Sequence, residues 1–124
     1  MANELTLTAS LTGFKSSVMS SAIARSVTGL LRNMGGVVYV GPVGVSIGLA
    51  ATAFPLAGVT QPHYAWFNNL DPTNYFTIRN GSGGTDLAQL FPGDIAIIPL
   101  LTTSVPFGVA NVAAVEVEYM IFSL

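Results

Sequence analysis

The chain has no cysteine, which excludes disulfide scaffolds, thiolate metal sites and cysteine nucleophiles. Charge is almost as scarce. Asp, Glu, Lys and Arg make up 8% of the residues, against roughly 25% in an average soluble domain. Six acidic and four basic side chains give a net charge of -2. No Lys/Arg cluster could release counterions from phosphates, so nucleic-acid binding is excluded. Intrinsic disorder needs low hydrophobicity and high net charge, and this chain is 51% hydrophobic with a mean hydropathy of +0.62. There is one histidine, His63. No Gly-x-Ser-x-Gly presents a nucleophile beside it, and Gly41, Gly44 and Gly48 match no phosphate-cradling pattern.

What is present, 124 residues rich in Gly and Pro, suits one domain spanning 1–124. The start, Met1-Ala2-Asn3-Glu4-Leu5, lacks the basic n-region and apolar h-region of a secretory leader, which predicts a cytoplasmic product. No charged residue occurs between Asn33 and Leu70. A membrane helix there is the remote alternative, opposed by the Gly and Pro that interrupt the stretch. Glu4 to Thr12 alternates, with Leu5, Leu7, Ala9 and Leu11 on one face, as in a half-buried strand. Phe14 to Asn33 fits either a helical stripe or extended structure, and the flanking strands favour the extended form. Val37 to Val40 and Val43 to Ile47 read as two strand pieces bent at Gly41-Pro42, where proline implies an edge or a bulge.

Further strands are predicted over His63 to Asn69, Tyr75 to Arg79 and Leu87 to Phe91. Turn chemistry at Leu70 to Asn74, Asn80 to Gly84 and Pro92-Gly93-Asp94 separates them. Ile95 to Leu101 is continuously apolar, as in a strand buried on both faces, although Pro99 removes a ladder donor. In the last strand Val115, Val117, Tyr119 and Ile121 share one face, and Glu116, Glu118, Met120 and Phe122 the other. Short strands between Gly/Pro turns predict an all-β, jelly-roll-like antiparallel sandwich.

Four segments carry a resemblance. They are the Met1-Ala2-Asn3-Glu4-Leu5-Thr6 start, Phe67-Asn68-Asn69-Leu70-Asp71-Pro72-Thr73-Asn74-Tyr75, Leu90-Phe91-Pro92-Gly93-Asp94, and Ala113-Ala114-Val115-Glu116-Val117-Glu118-Tyr119. In this order they resemble small tailed-bacteriophage virion proteins, well over the second half of the chain and poorly from Gly13 to Gly58. The resemblance implies a β-sandwich assembled on a phage particle, as a head decoration (cement) protein or a tail or neck part. It implies no active site and no cofactor, and it implies location in the virion after synthesis in the host cytoplasm. The chain departs from these proteins in carrying less charge.

Competing chemistry is weaker. Glu116 and Glu118 could form a carboxylate pair, but the apolar Met120 and Phe122 follow on the same face. Asp71, Asp86 and Asp94 lie at turns without a calcium-loop spacing. Asn80-Gly81-Ser82 matches a glycosylation sequon and equally a hairpin turn. Tyr64 and Trp66 could stack on sugars, as in a glycan-binding tail or fibre module, or fill a core. With so little charge, part of the apolar surface is expected to be covered by copies of the chain, a trimer by the resemblance, and by other virion proteins such as the major capsid protein. No membrane partner is expected. The candidate interface is Val37, Val38, Tyr39, Val40, Val43, Val45, Ile47 and Phe54, with Met120, Phe122 and Leu124 of the tail.

Overall fold

The computed structural model describes residues 4–13 and 23–33 by their strand pairing, and 36–101 and 103–123 with their side chains. Every regular element described is a strand. The chain divides into two compact units, Met1–Met34 and Gly35–Leu124.

In the first unit, β1 (Glu4–Gly13) pairs antiparallel with β2 (Ile23–Asn33), from Glu4↔Asn33 to Gly13↔Ile23, with a register shift between Thr6 and Thr8. The extended reading therefore holds for Ile23–Asn33, while Phe14 to Ala22 lies outside the described residues.

The second unit is a β-sandwich of two antiparallel four-stranded sheets. Its strands are β3 (Val37–Ile47), β4 (Thr52–Ala53), β5 (Tyr64–Asn69), β6 (Phe76–Asn80), β7 (Asp86–Leu90), β8 (Ile95–Pro99), β9 (Pro106–Ala110) and β10 (Val115–Phe122). One sheet runs β3-β10-β5-β8 and the other β4-β9-β6-β7. Only the β6–β7 connection stays within a sheet, and each of the others crosses between the two. Within the charge-free stretch, residues 36–70 form strands and loops, and among the described residues no helix is long and apolar enough to cross a membrane.

Period-2 alternation decides what is inside. Val115, Val117, Tyr119 and Ile121 of β10 are fully buried, as are Ala65 and Phe67 of β5 and Phe76 and Ile78 of β6. Phe54, just after β4, sits at the centre. Its ring centroid lies 4.7 Å from that of Phe67, 5.1 Å from that of Tyr119 and 6.2 Å from that of Phe76. The Tyr119 hydroxyl donates to the Pro55 carbonyl oxygen at 2.7 Å, so this buried phenol is satisfied.

The turns follow their sequence chemistry. Pro92 and Gly93 (φ 80°) form the reversal before β8, closed by Asp94 N–H donating to the Phe91 carbonyl at 2.9 Å, as expected of a Pro-Gly type II turn. In β3, Val40 pairs with Tyr119 and Val45 with Val117, so Gly41 to Gly44 bulge out of the ladder. That is the edge position and irregularity that Pro42 implied.

Two expectations are corrected. β8 is not buried on both faces: it ends its sheet, and Ile95 and Ile97 are 63% and 43% exposed. The missing Pro99 donor is tolerated because this strand has a neighbour on one side only. Tyr64 and Trp66 do not fill the core either, since the inward phase of β5 belongs to Ala65, Phe67 and Asn69.

Gly108 on β9 tests the packing. A Cβ there would lie 2.9 Å from Ile47 Cγ2 and 3.1 Å from the Phe54 ring. Gly108→Ala is expected to overpack the core and destabilise the fold by about 1–3 kcal/mol, read as a lower urea-unfolding midpoint with an unchanged slope.

Candidate functional site

The candidate interface divides sharply in the structure. Val38, Ile47 and Phe54 belong to the core cluster, and Phe122 is buried with its ring 5.8 Å from that of Tyr64. These four residues therefore do not form free surface, because the fold already covers their side chains. Val37, Tyr39 and Val43 are exposed, while Val40, Val45 and Met120 are half-buried. Leu124 lies outside the described residues.

The register assembles what remains into an outward face of the β3-β10-β5-β8 sheet. Met120 lies between Tyr39 and Trp66, and Trp66 is opposite Ile97. The next row holds Glu118, Asn68 and Ile95, and the row on the other side Val37, Tyr64 and Pro99, with the Phe122 ring buried between its neighbours. Thus two carboxylates, Glu118 and the exposed Glu116, and the Asn68 amide stand on a face whose other rows are aromatic and aliphatic. Glu118 is held from two sides: Oε1 accepts from the Tyr39 hydroxyl at 2.6 Å and Oε2 from Asn68 Nδ2 at 3.1 Å. The hydrogen bond to Glu118, with lesser contributions from desolvation and the carboxylate charge, raises the Tyr39 pKa above its ordinary value near 10. Glu116, on the same face, is exposed and opposite Ser46, and among the described residues its carboxylate takes no part in the Tyr39–Glu118–Asn68 bonds.

The turn aspartates are each committed locally. Asp71 Oδ1 accepts the Thr73 and Asn74 backbone N–H groups at 2.8 and 2.6 Å. The bond from Asn74 and then that from Thr73 hold its carboxyl below the usual value. Asp94 Oδ2 accepts Phe91 N–H at 3.0 Å, and Asp86 pairs with Arg79 Nε at 2.6 Å. Among the described residues no group of three or more His, Cys, Asp or Glu could hold a metal ion. The imidazole of His63 packs against Tyr64 with centroids 4.8 Å apart, and its backbone ties β10 to the end of β8 through Phe122 and Leu100.

Sequence reasoning missed Asn69. It is 2% exposed, and its Nδ2 donates to the Asn74 and Leu90 carbonyls, both at 2.9 Å, while Oδ1 accepts Asp71 N–H at 2.9 Å. Its signal was its position on the inward phase of β5, where a polar residue needs partners. It also missed a cleft of about 390 Å³ lined by Arg79, Asn80, Leu87, Pro99, Leu100 and Leu101, with Ser104 and Pro106. This lining is mainly apolar and contains no histidine or carboxylate to activate the Ser104 hydroxyl.

Compared with known proteins, the chain matches no family model, no curated protein and no solved structure. The phage resemblance accordingly stands on the quoted motifs alone.

Glu118→Gln removes the charge beside Tyr39, and the Tyr39 pKa is expected to fall back toward 10, as followed by tyrosinate absorbance against pH. The raised pKa means that this bond contributes to stability below the unfolded-state value and that the contribution is lost as pH rises through the folded-state value. In the variant that alkaline loss should shrink.

Proposed function

We propose that the chain is a non-enzymatic structural protein of a tailed-phage virion, a capsid decoration or cement protein that bridges neighbouring subunits. The observation that carries the reading is the outward sheet face, where Val37, Tyr39, Tyr64, Trp66, Met120 and Ile97 share the surface with the carboxylates of Glu116 and Glu118. Such a face suits burial against protein. A protein that binds only the assembled state stabilises that state by mass action, which is how a cement protein raises the free energy needed to part its neighbours.

We also infer that Gly35–Leu124 is a jelly roll. Its first strand pairs with its last, the last with the third and the third with the sixth, while the second sheet pairs the second, seventh, fourth and fifth in that order. Two wound Greek keys give this arrangement, which is common in capsid domains. Three of the resembling segments supply parts of it: the Asn69–Asn74 turn, the Pro92-Gly93 turn and β10.

A second reading is a tail, neck or fibre component that binds glycans. Tyr64 and Trp66 on the outward face favour it, because an aromatic ring beside an amide and a carboxylate can both stack on a sugar and bond its hydroxyls.

Gold-labelled antibody against the chain, imaged on phage particles from the source culture, tests the two. The decoration reading expects a regular array over the head. Label confined to the tail, with a sugar-dependent shift in Trp66 fluorescence, would support the second reading, and particles without label would contradict both.

A further inference from the structure

Four strands end the two sheets of the second unit, and three of them are unsuited to pairing with another strand. β3 is straight only from Val37 to Val40 before the Gly41–Gly44 bulge. β4 is two residues long. β7 has a register break beside the charged Asp86. Short length, bulges and charge are the devices by which sheet edges avoid addition of a further strand. β8 differs from all three. It pairs with β5 without a break from Tyr64↔Pro99 to Asn68↔Ile95, and no residue from Ile95 to Leu101 is charged.

The ladder shows which backbone groups of β8 have no partner among the described residues. Leu100 N–H donates to the His63 carbonyl, and the Asp94 carbonyl accepts from Asn69 N–H. Alternate residues of an antiparallel strand address the same neighbour, so Asp94, Ala96, Ile98 and Leu100 face β5. Ile95, Ile97 and Pro99 present their backbone groups to the open side, and of these Pro99 has a carbonyl but no donor.

We propose that β8 pairs antiparallel with β8 of a second copy of this chain, about a two-fold axis through Ala96, joining two four-stranded sheets into one. Ile95 N–H then donates to the partner's Ile97 carbonyl and Ile97 N–H to the partner's Ile95 carbonyl, and the symmetry doubles both bonds. Pro99 falls outside the paired residues, where its missing donor costs nothing. A longer strand from another protein would run onto Pro99, so the usable length of β8 fits a copy of itself. The absence of charge removes the like-charge repulsion that a two-fold contact would otherwise impose on every charged residue. The same margin carries Leu87, Phe91, Ile95, Ile97 and Leu101, five of the twelve large apolar side chains exposed among the described residues. Their burial is needed too, since stable interfaces remove roughly 1,200–2,000 Å² from water. This contact is independent of any place in a particle.

Sedimentation of the full chain, combined with amide hydrogen exchange, tests the contact. The expected result is an oligomer that dissociates on dilution, with the Ile95 and Ile97 amides protected at high concentration and exposed at low. Ile97→Pro removes an outward donor and no bond to β5, and should halve the mass with the fold retained. Ile97→Lys, which places like charges across the axis, should do the same. A wild-type monomer at all concentrations overturns the proposal, as does an oligomer whose Ile95 and Ile97 amides exchange freely.

Discussion

The sandwich depends on the contact of Phe54 with the opposite sheet. Phe54 follows directly on β4, a strand of two residues, yet its ring reaches Phe67 on β5 and Tyr119 on β10. Phe76 completes the group from its own side. Aromatic pairs at these separations add to the burial of their area, and here they join the two layers at the centre of a core to which both sheets contribute. Tyr119 adds direction, because its hydroxyl bond to the Pro55 carbonyl fixes the chain leaving Phe54.

Once this centre is filled, the remaining apolar residues have to lie elsewhere. The core excludes charge: its buried polar residues are Asn69, Thr77 and Ser123, and no buried side-chain nitrogen or oxygen lacks a partner among the described residues. Such satisfaction is what a water-free interior requires. The outward phases of β3, β5, β8 and β10 nevertheless carry Val37, Tyr39, Trp66, Ile97 and Met120, with Glu118 among them. The chemistry of this chain is therefore at its surface, and the proposed role in an assembly follows from what that surface lacks.

Strand periodicity made much of this fold legible in the sequence. β10 carried a full period-2 pattern, and its inward phase is buried without exception. Proline and glycine located the β3 bulge and the turn before β8 for the same local reasons that form them. What could not be read was position within a sheet. Ile95 to Leu101 has the composition of a central strand, and only long-range pairing makes it an edge. The candidate interface divides for a similar reason: an uncharged segment contains both faces of β3, so Val38 and Ile47 went to the core while Tyr39 and Val43, 51% and 75% exposed, stayed outside. Asn69 was hidden because its burial depends on a partner 21 residues away, the Leu90 carbonyl, although Asp71 and Asn74 belong to the adjoining turn.

A double-mutant cycle between Phe54 and Phe67, using Phe54→Leu and Phe67→Leu, tests most directly whether the aromatic centre couples the two sheets. Leucine keeps the sites apolar while removing the ring–ring contact. The account predicts a coupling free energy of about 0.5–1.5 kcal/mol in urea unfolding. Losses that add to within about 0.3–0.5 kcal/mol would show independent sites, and would contradict the claim that this contact holds the sandwich together.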